Sequence, residues 1–153
     1  DAEIGARYSA LVMEGLAARP VAALDGVFVL LEALQARALP VAVASQSQPE
    51  WVRLTLAGAG LHGVFEIVVA ADTSRPPKPA PDIYLQAAER LGVAPWQCLA
   101  VEDSAPGVAS AAAAGMTVVQ TRQASTSIEA QPGAHFVVDS LRDFDLGWLG
   151  LPR

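Results

Sequence analysis

Residues 98–116 read CLAVEDSAPGVASAAAAGM. Leu99 to Val101 is a short apolar run of the kind a buried strand makes. Glu102 and Asp103 close it, and a small-residue helix follows from Ala109 to Ala114, stopped by Gly115. Two adjacent carboxylates at the end of a buried strand repel each other and need a cation to compensate them. A small number of hard oxygen ligands, completed by waters and a phosphate, is the shell Mg²⁺ takes. The competing reading has Asp103 or Ser104 capping the next helix while Glu102 is solvated.

The same strand-then-helix rhythm runs outward in both directions. Val41 to Ala44, Phe65 to Ala70, Thr117 to Gln120 and Phe136 to Val138 read as further buried strands. Helical spacing marks Asp1 to Ala18, Val27 to Leu34, Pro49 to about Ala57, and Asp82 to Leu91 with Gly92 as its C-cap. Ser125 to Gly133 reads as a loop, and Ser140 as the cap of a short helix. Strands alternating with helices imply an α/β fold with a parallel sheet. Such sheets carry their sites beyond the carboxyl ends of the strands.

Two other strand ends are chemically pointed. Ser45-Gln46-Ser47-Gln48 joins a strand to a helix beginning near Pro49. A helix N-terminus with nearby hydroxyls suits an anion, although for this cluster taken alone a plain cap by Ser47 or Gln48 is the favoured reading. Lys78-Pro79-Ala80-Pro81-Asp82 sits in a loop stiffened by four prolines. A fixed ammonium at a strand end can offset charge on a phosphoryl group, while a solvated surface lysine is the alternative.

Composition narrows the function classes. With 52% hydrophobic and 17% charged residues, the 153-residue chain has the makings of a domain with a sizeable core. Its net charge of −6 disfavours nucleic acid as a partner. No apolar run approaches the roughly 20 residues that cross a bilayer. Cys98 is the only cysteine, which excludes an intrachain disulfide and fits a reducing cytoplasm. Two histidines and one cysteine do not make a protein-only zinc site.

Taken in order, VAVASQS (residues 41–47), KPAPDIYLQAAERLGV (78–93) and CLAVEDSAPGVASAAAAGM (98–116) resemble the haloacid dehalogenase-like (HAD) superfamily, in its phosphatase and beta-phosphoglucomutase-like branch. The resemblance covers most of residues 21–138. It implies a Rossmann-like three-layer core and Mg²⁺-dependent phosphoryl transfer through an aspartyl-phosphate, acting on a small phosphorylated metabolite. It further implies that Ser45 and Lys78 are catalytic, that Ser47 and Gln48 lie near the phosphate with them, and that Glu102 and Asp103 bind Mg²⁺.

One family motif has no counterpart. Nothing matches the apolar strand ending in Asp-x-Asp-Gly whose first Asp attacks phosphorus. Ala23-Leu24-Asp25-Gly26 is the nearest text, but it stands before a helix rather than after a strand. By the resemblance, the absent strand belongs between those ending in Ser45 and Asp103, and residues 1–20 are a remnant of the cap domain and its linker. Residues 21–153 are then the core without its first strand, inactive alone. The expected explanations are a fragment, a shortened protein serving in binding or assembly through open sheet edges, or a partner chain that supplies the strand, homo-oligomerisation included.

Other readings fail on order. A receiver domain would put its lysine after its acidic pair, whereas Lys78 precedes Glu102. Gly58-Ala59-Gly60-Leu61-His62-Gly63 fits G-x-G-x-x-G but follows a helix and precedes a strand, the reverse of a dinucleotide site. His62 is then a loop residue.

Overall fold

The computed structural model describes residues 2–19, 21–124 and 129–150. Among these residues five helices and five strands follow in chain order: α1 (Ala2–Ala18), α2 (Val27–Gln35), β1 (Ala42–Ala44), α3 (Pro49–Gly58), β2 (Ile67–Val69), α4 (Asp82–Leu91), β3 (Leu99–Glu102), α5 (Ala105–Ala113), β4 (Thr117–Thr121) and β5 (Phe136–Val138). Short 3₁₀ turns occupy Pro95–Gln97, Leu141–Asp143 and Leu146–Gly150. Every strand pair is parallel, as the alternation of elements predicts. Among the described residues no helix is long and apolar enough to cross a membrane.

Element ends differ from expectation in two instructive places. The helix read from Ala109 begins at Ala105, because Ser104 accepts the Gly107 amide at 3.1 Å and Pro106 fits the first turn. The strand read from Phe65 shrinks to Ile67–Val69, the three residues that find a partner. Gly60 (φ +73°) and Gly63 (φ +73°) turn the chain after α3, and His62 is exposed between them. Ser140 accepts the Arg142 amide and opens a single 3₁₀ turn. Of the loop expected at 125–133, residues 125–128 lie outside those described.

The sheet is divided. β1 pairs with β2, and β3, β4 and β5 form a second sheet in that order. The two are joined through helices: α4 packs on β1 and β2, α5 on β3 and β4, and the helices touch each other. One core cluster runs through this layer, from Val69 across Tyr84, Ala88, Ala100 and Val108 to Val118.

Register identifies the groups at each open edge. Ser45 N–H donates to Val69 O at 2.8 Å, so Val43 and Ser45 face β2 while Ala42 and Ala44 face away from it. Thr117 N–H donates to Cys98 O, so Leu99 and Val101 face away from β4. The outward carbonyls of β2, on Val68 and Ala70, are taken by Arg90 at 3.0 Å and Arg75 at 3.1 Å. The sheet's outer edge is therefore closed by arginines, a common protection against strand addition. Among the described residues, the edges of β1 and β3 lack such a cover along their length.

Apolar surface also stays exposed. In α2 only Glu32 and Gln35 are polar, yet no residue of the helix is buried. Phe28 and Val29 are half exposed, and so is Val101 in the middle of β3.

Candidate active site

The carboxyl ends of β1 and β3 meet on one side chain. Lys78, in the proline-rich loop, is 9% exposed and reaches across to Glu102. Its ammonium pairs with Glu102 Oε1, donates to Ala44 O at 3.3 Å, and lies 3.4 Å from the Tyr84 hydroxyl. It also sits 4.8 Å from the centre of the Tyr84 ring, within cation–π range. A solvated surface lysine is excluded by this burial. The loop is anchored on its far side by Ser110, which is fully buried and donates to Ala80 O at 2.6 Å. The Lys78–Pro79 peptide is cis.

Glu102 is 8% exposed, not solvated. Its Oε1 receives Lys78 and the Tyr84 hydroxyl; its Oε2 receives the Asp103 amide at 3.2 Å and the Ser104 hydroxyl at 3.1 Å. Burial pushes the Glu102 carboxyl up, but the Lys78 charge and the bonds from Lys78, Tyr84 and Ser104 outweigh it and hold it below the usual carboxylate range. Burial, then the Glu102 charge, pushes the Tyr84 phenol well up, so it stays a neutral donor. Gly107 leaves room for this carboxylate: a Cβ there would stand 2.1 Å from it.

Asp103 differs from its neighbour. It is half-buried, and among the described residues its carboxylate makes no hydrogen bond. Among the described residues no group of three His, Cys, Asp or Glu is arranged to hold a metal. Mg²⁺ does not need such a cage, since one or two carboxylates suffice when waters and phosphate complete the shell. Asp103 fits as a direct ligand. Glu102 has both oxygens committed to protein donors, so its fit is to orient the site around Asp103.

The serine motif lies at the end of β1, one residue beyond the Ala44 carbonyl that Lys78 touches. Ser45 Oγ accepts the Ser47 amide at 3.1 Å, which leaves its proton free to donate. Ser47 O accepts the Ala71 amide, tying this turn to the exit of β2. The plain capping reading is not realised: Gln48 occupies the N-cap of α3 with no side-chain bond, and Pro49 follows. The amides of the first turn of α3 are thus left without a side-chain cap. Ser47 and Gln48 are exposed, and no hydrogen bond joins either to Lys78 or Glu102.

Tyr84, Ser110 and Gly107 belong to the site but carry no strand-end signal. Tyr84 reads in sequence as one apolar position of α4, and Ser110 hides in an alanine run. Cys98 is unremarkable, its thiol 3.5 Å from Ala94 O and pushed up by burial.

Residues 5–115 match the haloacid dehalogenase-like hydrolase family. The chain is 35% identical over 133 residues to a bifunctional riboflavin kinase/FMN phosphatase of Arabidopsis thaliana, covering 86% of this chain and 35% of that protein. It is 42% identical over 107 residues to the putative phosphatase YhcW of Bacillus subtilis, covering 70% of this chain and 46% of the other. The chain thus spans between a third and a half of these relatives. In three dimensions it is similar to CbbY from Rhodobacter sphaeroides, solved in complex with phosphate, with a TM-score of 0.83, 27% identity, and coverage of 91% of this chain and 64% of that one.

Proposed function

The chain belongs to the haloacid dehalogenase-like hydrolases, and from that membership we propose that it holds the phosphate- and Mg²⁺-binding part of a phosphomonoesterase or sugar-phosphate mutase. One observation carries the reading: Lys78 is buried on Glu102 and Ala44 where two parallel strands end, and Glu102 is next in the chain to Asp103, whose carboxylate makes no hydrogen bond among the described residues.

An aspartate from an upstream strand of the whole protein attacks the phosphorus in line and expels the alcohol, giving an aspartyl-phosphate. Water, or a sugar hydroxyl in a mutase, then takes the phosphoryl group and frees the carboxylate. Lys78 and the Ser45 hydroxyl donate to the phosphoryl oxygens, with Ser47 and Gln48 near them at the uncapped start of α3. Asp103 would hold Mg²⁺ directly, with Glu102 as the neighbouring carboxylate that orients the site around it. When bound, the ion neutralises charge on the transferring group. Edges left open on β1 and β3 support entry of the upstream strand between them. Without that strand the 153-residue chain turns over no ester. The substrate is a small phosphorylated metabolite, and the lone cysteine supports a cytoplasmic setting.

The test is hydrolysis of p-nitrophenyl phosphate by the whole protein with and without Mg²⁺. Asp103→Ala lowers Mg²⁺-dependent turnover by roughly 10²-fold or more; turnover that survives the substitution overturns the assignment. A second reading, an assembly module that oligomerises through its open strand edges, is favoured by the divided sheet. Light scattering after size exclusion separates the two, since a monomer with an intact fold counts against assembly.

A further inference from the structure

We propose that Tyr84 is a positioning residue for the Lys78 ammonium, holding it in register with Glu102 through both ring and hydroxyl. This rests on the phosphoryl-transfer reading of Lys78. Tyr84 projects from the first turn of α4 into the core, where it is 7% exposed. A core position alone is served by a phenylalanine. A buried hydroxyl costs free energy unless it is bonded, and this one is spent on Glu102 Oε1, the same oxygen that pairs with Lys78.

The arrangement solves a problem of flexibility. A lysine side chain has a long stem and about 2 kcal/mol of rotamer entropy, with three donors at its tip. Those donors go to Ala44 O, to Glu102 Oε1 and, at 3.4 Å, to the Tyr84 hydroxyl oxygen. The Tyr84 ring, 4.8 Å away, gives the charge an attractive wall that takes none of its protons. Tyr84's own proton fixes Glu102, so the carboxylate cannot swing away and carry the ammonium with it. Tyr84 rides on α4 and Glu102 on β3, so two rigid elements set the position of a lysine that itself sits in a loop.

NMR of the ammonium protons tests this on the chain as it stands. In the wild type, Lys78 gives a ¹H–¹⁵N ammonium signal protected from water exchange, with Overhauser contacts to the Tyr84 ring. The absence of those contacts overturns the proposal without any variant. In Tyr84→Phe, which keeps the ring, exchange of the Lys78 protons speeds up about tenfold, the scale of one hydrogen bond to a charged group. Exchange within twofold of wild type in a folded variant overturns the hydroxyl's part. In the whole protein, Tyr84→Phe lowers kcat with little change in KM, and a rise in KM alone counts against positioning. Lys78→Ala separates the two readings. If it leaves Mg²⁺-dependent turnover intact, the phosphoryl-transfer role of Lys78 fails, while the exchange data still decide the Tyr84 contact.

Discussion

At the scale of single residues, Gly107 and Glu102 are bound to each other. Replacing a helical glycine with alanine ordinarily gains about 1 kcal/mol of helix propensity. Here the new Cβ meets a carboxylate locked by five donors: the Lys78 ammonium, the Tyr84 and Ser104 hydroxyls, and the Asp103 and Ser104 amides. Gly107→Ala is therefore expected to destabilise the fold by about 1–3 kcal/mol, as overpacking does, read by denaturant unfolding. Glu102 also sets an acid limit. Its folded-state carboxyl lies below its ordinary value near 4.5. The stability it contributes is complete above that value and is lost as pH falls through the lowered folded one. Melting temperature should fall with pH below about 4.5 in the wild type and more shallowly in Glu102→Gln. Taken singly in the sequence, Lys78, Glu102 and Asp103 each had a cap or surface reading, and only their order along the chain, through the family resemblance, drew them together. The sequence did not show that Glu102 is spent on Lys78 while Asp103 is free. That division depends on Tyr84 and Ser104, one distant in sequence and one legible only as a cap.

At the scale of elements, strands and helices followed hydrophobic period well. Their ends did not, since ends depend on partners. β2 lost its flanks because pairing with β1 supports only three residues, and α5 gained four because Ser104 caps it. The arginines on the outer carbonyls of β2 were invisible in sequence, where Arg75 and Arg90 are simply surface charges. Removing both, in Arg75→Ala/Arg90→Ala, frees the Val68 and Ala70 carbonyls. The expected outcome is a higher weight-average mass than wild type at equal concentration, measured by sedimentation equilibrium, with each lost bond costing about 0.5–1.5 kcal/mol. An unchanged mass would mean that the edge is protected by its twist or shortness instead.

Across the whole molecule, the division of the sheet is the dominant fact. A parallel α/β architecture was legible from alternation alone. The place of the division followed from the family resemblance and from no local signal, because each strand by itself is ordinary. Backbone direction gives a direct check. The amides of Ala42, Ala44, Leu99 and Val101 face away from β2 and β4, whereas Val43 and Ala100 donate within their sheets. Amide hydrogen exchange should be at least about tenfold faster at the first four than at the last two. Equal protection would show that the open edges are covered in solution. The Lys78–Glu102 pair also has a mechanical side. It fastens the loop touching the end of β1 to the end of β3, so it works as a clasp across a seam that otherwise closes through α4 and α5. Pulled apart under load, the molecule should open along that seam, and the Lys78–Glu102 contact should part at the first tear, well before either half unravels.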